Sequence, residues 1–141
     1  MDLGIEGKVA MITGGSRGLG RQAALSLARE GCKVSICARS QEQLDTTVAE
    51  LTNMGYQVHG TPADVTSEED AARFYQETLD TLGQPDILVN NVGGRKGTIL
   101  EETSLEMFKE GLDLNLYSAY RMIRLVLPHM KEQNWGRIVN I

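Results

Sequence analysis

Residues Thr13 to Gly20 read TGGSRGLG. The stretch follows the apolar run Val9-Ala10-Met11-Ile12 and leads into a helical pattern of Leu19, Ala23, Leu27 and Ala28, so its glycines fall at a strand-to-helix turn. Glycine lets a backbone turn tightly and come close to a ligand, and the helix that follows aims unpaired N–H groups and its positive dipole end at an anion. A nucleotide cofactor held by its phosphates is the implied ligand. Gly14, Gly18 and Gly20 are spaced as TGxxxGxG, unlike the GxGxxG of the commonest dinucleotide loop, and no Gly-Lys-Ser/Thr ending of a nucleoside-triphosphate loop is present. An ordinary tight turn before a helix has the same local composition, so the flanking strand and helix carry the argument.

Working outward, the first strand is expected over Lys8 to Thr13, an almost continuous apolar run suited to a sheet covered on both faces. Its helix runs from Arg17 to Glu30 and stops at Gly31, and Lys33 to Ala38 (KVSICA) reads as the second strand. Ser40 with Gln43 makes a capping box, after which Leu44, Val48 and Leu51 recur at helical spacing up to Asn53 and Gly55. A third strand fits Gln57 to Thr61. Thr66 with Glu69 predicts the cap of a third helix over Ser67 to Leu82, with Ala71, Phe74, Tyr75 and Leu82 inward. Asp86 to Asn90 (DILVN) is the clearest strand, ended by Asn90-Asn91-Val92-Gly93-Gly94. Thr103 with Glu106 predicts the cap of a long helix to Lys131, broken near Gly111 to Asn115, where glycine and poor helix formers cluster. A last apolar run covers Arg137 to Ile141.

Strand and helix alternate throughout, without repeats or long linkers, which calls for an α/β, Rossmann-type, doubly wound parallel sheet. Right-handed crossovers and a reversal after the third strand give the order 3-2-1-4-5, with ligand above the first and fourth strands. The 141 residues are expected to form a single dinucleotide-binding domain.

Composition narrows the class. Hydrophobic residues make up 41% and charged residues 23%, as in a globular protein, and a net charge of −5 argues against nucleic acid as the main partner. No apolar run approaches bilayer length and the first residues lack the form of a secretory signal, so neither membrane nor export is expected. Cys32 and Cys37 lie five positions apart across one predicted strand and point to opposite faces, which suits a reducing, cytoplasmic location better than a disulfide. No metal site is expected.

The end of the second strand is where such a domain selects its cofactor. A carboxylate there would bond the ribose hydroxyls of NAD, and an arginine would take the 2′-phosphate of NADP. From Gly31 through Gln41 there is no Asp or Glu, whereas Arg39 stands at the strand end and Arg17 lies inside the glycine loop. Guanidinium forks suit a phosphate, so NADP (NADPH) is expected over NAD; two solvated arginines are the competing reading.

With these pieces assembled, the sequence resembles the short-chain dehydrogenase/reductase family along its whole length. TGGSRGLG is similar to the family's cofactor loop, which implies Gly14, Ser16, Arg17, Gly18, Leu19 and Gly20 as cofactor-binding residues, with Arg39 and Ser40 at the 2′-phosphate corner. Asp64-Val65 matches the pair that holds the adenine ring. Asn90-Asn91-Val92-Gly93 is similar to NNAG, implying Asn91, Val92 and Gly93 beside the ribose, with Val92 crowding the site by two methyl groups where the family has alanine. Asn115 matches the family asparagine that holds a water of the proton relay at a helix break; a capping asparagine without catalytic part is the alternative.

The resemblance implies hydride transfer between NADPH and a small carbonyl or alcohol substrate, with a tyrosine of a YxxxK pair passing the proton and a serine polarising the oxygen. No tyrosine here satisfies YxxxK: Tyr56 precedes Gly60 by four, Tyr75 precedes Leu79, Tyr117 precedes Arg121 and Tyr120 precedes Arg124. Arginine stays protonated and does not replace the lysine. Gly136 to Ile141 resembles the strand before the family's catalytic serine, so serine, tyrosine, lysine and the substrate-binding segment are expected beyond Ile141. The chain alone is therefore expected to bind cofactor without turnover, as a homo-oligomer or with a complementing fragment, because the last strand and the long helix leave apolar surface uncovered. The reading from a different class is a non-catalytic nucleotide-binding or oligomerisation module. Epimerase-like relatives, which show TGxxGxxG, and methyltransferases, which lack the arginine placement and the NNxG strand end, fit less well.

Overall fold

A computed structural model describes residues 2–141. The elements run β1 (Val9–Thr13), α1 (Gly18–Arg29), β2 (Lys33–Ala38), α2 (Gln41–Asn53), β3 (Val58–Pro62), α3 (Glu68–Thr81), β4 (Ile87–Asn90), α4 (Leu105–Leu112), α5 (Ser118–Glu132) and β5 (Arg137–Asn140). A 3-10 turn at Leu100–Glu102 precedes α4, and a π-helical turn at Asp113–Tyr117 joins α4 to α5. The five strands form one parallel sheet in the order β3-β2-β1-β4-β5, as the alternation of elements requires.

Every residue of β1 is buried, because helices cover both faces of the sheet. One face packs Ile12, Val34 and Ile36 against Ala24, Leu25 and Ala28 of α1 and Leu44 and Leu51 of α2. The opposite face packs Met11 and Leu88 against Phe74 of α3 and Met122 and Val126 of α5. Cys32 belongs to the first layer and Cys37 to the second, both as free thiols. Burial, the largest influence, pushes the Cys37 thiol up to about 12, so it stays protonated and inert.

At the lower end of the sheet Asp86 fastens β4 to β1. Its carboxylate accepts the Val9 N–H at 3.0 Å and the Gln133 amide at 2.9 Å, and Lys8 lies 3.6 Å away. Lys8 and Arg137 also lie over the Trp135 ring, 4.5 and 4.7 Å from its centroid.

Local differences from the sequence reading have identifiable causes. The caps of α3 and α4 are Ser67 and Ser104, each one residue later than expected, accepting from the Asp70 and Met107 N–H groups. The two threonines are otherwise engaged: Thr66 donates to Asp64 Oδ1 in a local turn, and Thr103 donates to the Ile99 carbonyl. The expected helix break near Gly111 is a π turn rather than an interruption. There Asn115 and Ser118 donate side-chain hydrogen bonds to the Gly111 and Leu114 carbonyls four residues back. Pro128 sits within α5 without ending it. Leu19 does not join the core side of α1 but is 67% exposed.

On the outer edge, the Glu77 carboxylate accepts from Thr61 Oγ1 at 2.7 Å and meets His59 Nε2 at 3.3 Å. The Thr61 bond is the main cause holding its pKa below the usual 4.5. A carboxyl lowered in the folded state contributes stability above its unfolded pKa and loses it as pH falls through the folded value. In thermal melts, wild type is therefore expected to exceed Glu77→Gln above about pH 4.5, with the difference shrinking on further acidification. A difference independent of pH would contradict this.

Candidate functional site

The site is built where the sheet order reverses, between β1 and β4. Thr13 ends β1, and its Oγ1 accepts hydrogen bonds from the Asn91 N–H at 3.0 Å and the Val92 N–H at 3.1 Å. The Asn91 side-chain amide donates in return to the Thr13 and Gly14 carbonyls, both at 3.1 Å. The glycine turn and the end of β4 are thereby one hydrogen-bonded unit.

Two glycines explain the shape of this turn. Gly14 has φ +66°, and a Cβ there would stand 2.9 Å from the Asn91 amide nitrogen. At Gly20 a Cβ would lie 2.2 Å from the Gly14 carbonyl oxygen, so the third glycine lets α1 sit directly under the turn. Gly18 differs: its φ is +55°, but a Cβ there would face open space. The turn is closed beneath by Gly20 and open above Gly18, as a cradle for an extended anion must be.

Above it runs a cleft of about 470 Å³. It brings together Gly14, Ser16, Arg17 and Gly18 of the turn, Arg39 and Ser40 after β2, Asp64 and Val65 after β3, and Asn91, Val92 and Gly93 after β4. Leu19 and Gly20 do not line it. Ala38, Gln43, Ala63 and Leu114 complete the walls and were not among the expected site residues; their positions beside Arg39, Ser40, Asp64 and Asn115 are the signal that could have found them. A larger groove of about 680 Å³ between α3 and α5, lined by Leu116, Tyr117, Tyr120 and Arg121 among others, carries none of the residues expected to bind cofactor or to take part in catalysis.

The cleft is electrostatically uneven. Arg17 and Arg39 are exposed at its rim, and Ser40 caps α2 by accepting from the Gln43 N–H at 3.4 Å. Asp64 has its own local duties: its Oδ1 accepts from the N–H and hydroxyl of Thr66, and its N–H donates to Asp70 Oδ2. That last bond is the main reason the Asp70 carboxyl is held below its ordinary value, with Arg73 adding to it.

Asn115 stands apart from the cleft wall. Its amide donates to the Gly94 and Gly111 carbonyls at 2.8 and 2.9 Å, and its Oδ1 accepts the Gly94 N–H at 2.9 Å. A Cβ on Gly93 would approach Oδ1 to 2.9 Å, so glycine there permits the contact. The side chain thus clamps the loop after β4 onto the π turn. Among the described residues, no cluster of three His, Cys, Asp or Glu could hold a metal ion, and no helix is long and apolar enough to cross a membrane.

A glycine cradle at the switch point, joined to an Asn-Asn strand end, is a combination that can be compared with known proteins. The model of the short chain dehydrogenase family matches residues 8–141. The chain belongs to that family. It is 39% identical over 141 residues to an uncharacterized oxidoreductase, YvrD, of Bacillus subtilis, covering 100% of this chain and 53% of that protein. An actinorhodin polyketide ketoreductase solved with NADPH superposes with a TM-score of 0.90 at 34% identity, over 99% of this chain and 54% of that one. A 7α-hydroxysteroid dehydrogenase complexed with NADH and 7-oxo glycochenodeoxycholic acid gives 0.92 at 30% identity, over 97% and 53%. The chain spans about half the length of the curated relatives it matches.

The two glycines make a contrast that mutation can read. Gly20→Ala is expected to drive its Cβ into the Gly14 carbonyl and lower the melting temperature severely. Gly18→Ala should fold, with a loss of about 1–2 kcal/mol from its left-handed backbone. Equal melting temperatures for the two variants would contradict the assigned roles.

Proposed function

We propose that this chain is the cofactor-binding part of an NADP-dependent oxidoreductase that transfers a hydride between NADPH and the carbonyl or alcohol carbon of a small molecule. The observation that carries the reading is the pair of exposed arginines, Arg17 and Arg39, at the rim of one cleft whose β2 end bears no carboxylate. The similar solved proteins divide, one holding NADPH and the other NADH, so the corner residues of this chain decide. A 2′-phosphate needs forked donors, and a bare ribose needs an acceptor; this corner offers the former.

The cradle fits such a cofactor, since Gly14 and Gly20 close the turn from below while the space over Gly18 stays open. In this reading Ser16, Arg17 and Gly18 hold the pyrophosphate, Arg39 and Ser40 the 2′-phosphate, Asp64 and Val65 the adenine, and Asn91, Val92 and Gly93 the ribose side. When bound, the nicotinamide supplies or accepts the hydride. Asn115 fixes the loop after β4 and, as the matching family asparagine does, would hold a water of the proton relay. The serine, tyrosine and lysine of the reaction would come from residues outside these 141. Two buried free thiols agree with a cytoplasmic site of action.

Association with a second copy or a complementing segment accords with the apolar surface left in water. Leu105, Phe108, Leu116 and Tyr120 along α4, the π turn and α5 are exposed, as are Ile138 and Val139 of β5. The isolated 141-residue chain is expected to self-associate in sedimentation velocity; a monodisperse monomer with a cooperative melt would contradict this.

Fluorescence titration tests the cofactor assignment. Wild type is expected to bind NADPH at least about tenfold more tightly than NADH, the order of one charge-assisted phosphate contact. Arg39→Asp should abolish or invert that preference. Equal affinities before and after the substitution would sink the reading.

A further inference from the structure

Helix α2 carries a polar residue on its core side that the cofactor reading leaves unused. Thr47 is 3% exposed, flanked by Leu44 and Leu51 on the buried face, and its hydroxyl donates to the Ser16 carbonyl at 2.9 Å. One turn farther out, Arg21 of α1 meets Glu50 of α2 at 2.6 Å. The two bonds join α2 to the glycine turn and to the helix that follows it.

Both partners also rest on β2, the turn through Gly15 and α2 through Leu44 and Leu51. The turn lies against β2, where Gly15 donates to the Cys37 carbonyl at 3.0 Å and a Cβ on Gly15 would strike the Ile36 side chain. Helix α2 lies on β3, where a Cβ on Gly60 would stand 2.7 Å from Val48. Arg17 belongs to the first seat, while Arg39 and Ser40 lead into the second. The Gly15–Cys37 bond fixes the start of the turn against β2, whereas the Ser16–Arg17 peptide that carries the first guanidinium group is held to α2 by Thr47.

We propose that Thr47–Ser16, reinforced by Arg21–Glu50, is a tether that sets the spacing of Arg17 and Arg39, making Thr47 a positioning residue for recognition of a 2′-phosphorylated dinucleotide. The proposal rests on the NADP reading above. A dinucleotide without the 2′-phosphate makes the adenine, ribose and pyrophosphate contacts but none that needs both guanidinium groups at once, so its affinity depends less on that spacing. Loss of the tether therefore acts on the ratio of the two affinities, which a general loss of packing would not change.

The test compares NADPH and NADH dissociation constants for the natural gene product and its variants. Thr47→Val keeps the shape of the side chain and removes the donor. It is expected to reduce the NADPH-over-NADH preference by about fivefold, within the range one hydrogen bond carries. Thr47→Ser, which keeps the hydroxyl, should restore the wild-type ratio. If Thr47→Val does not fold, Arg21→Gln opens the outer bond at the rim and should shift the ratio the same way by about twofold. A wild-type preference for NADPH that survives whichever of these variants folds would overturn the tether and leave the cofactor assignment standing. A wild type that binds both dinucleotides equally would overturn the cofactor assignment, and the tether with it.

Discussion

The structure depends on one exchange of hydrogen bonds at the point where the sheet reverses direction. Thr13 at the end of β1 takes two backbone N–H groups from the segment after β4, and Asn91 returns two amide hydrogens to the carbonyls of Thr13 and Gly14. Carbonyls at a tight turn cannot all be paired within it, and buried ones left alone cost about 1–3 kcal/mol each. Asn91 satisfies them from the neighbouring strand, so the turn is held while its upper surface stays free. The cleft exists because the turn is satisfied from one side only.

The rest of the site follows from that arrangement. Gly20 must lack a side chain for α1 to begin directly beneath the Gly14 carbonyl, which places the start of the helix under the cleft. The loop after β4 then continues into Gly93 and Gly94, where Asn115 holds Gly94 by two hydrogen bonds. Asn115 lies within the π turn, and its amide donates both to the Gly111 carbonyl of α4 and to the Gly94 carbonyl, so one side chain ties the loop to the helix.

Much of this was legible in the sequence because the signals were of a kind one chain can express. The parallel sheet followed from alternating apolar runs and helical periods, and its order from right-handed crossovers with a reversal after the third strand. Eleven of the thirteen residues named as cofactor-binding line one cleft, since they cluster at strand ends that the topology brings together. Leu19 and Gly20 do not line it, because α1 begins at Gly18 and turns one side chain to solvent and the next position under the turn. What escaped was tertiary. Thr66 and Thr103 look like caps until Asp64 and the Ile99 carbonyl take their hydroxyls, and a π turn differs from a helix break only through bonds that Asn115 and Ser118 make. Asn91 was singled out as a ligand contact, and its amide hydrogens also hold the turn, in bonds that form only once the ends of β1 and β4 lie side by side. Thr47 drew no notice, because a threonine at a helical core position reads as an ordinary packing residue.

The most direct measurement is an NMR titration with adenosine 2′,5′-bisphosphate, the part of NADP that carries the distinguishing phosphate, against 5′-AMP as control. Amide shifts are expected at Ser16 to Gly18, Arg39 and Ser40, and Asp64 and Val65, with the shifts at Arg39 and Ser40 much larger for the bisphosphate than for 5′-AMP. Equal responses to the two nucleotides, or shifts confined to the groove between α3 and α5, would contradict the assignment of the cleft to an NADP-type cofactor.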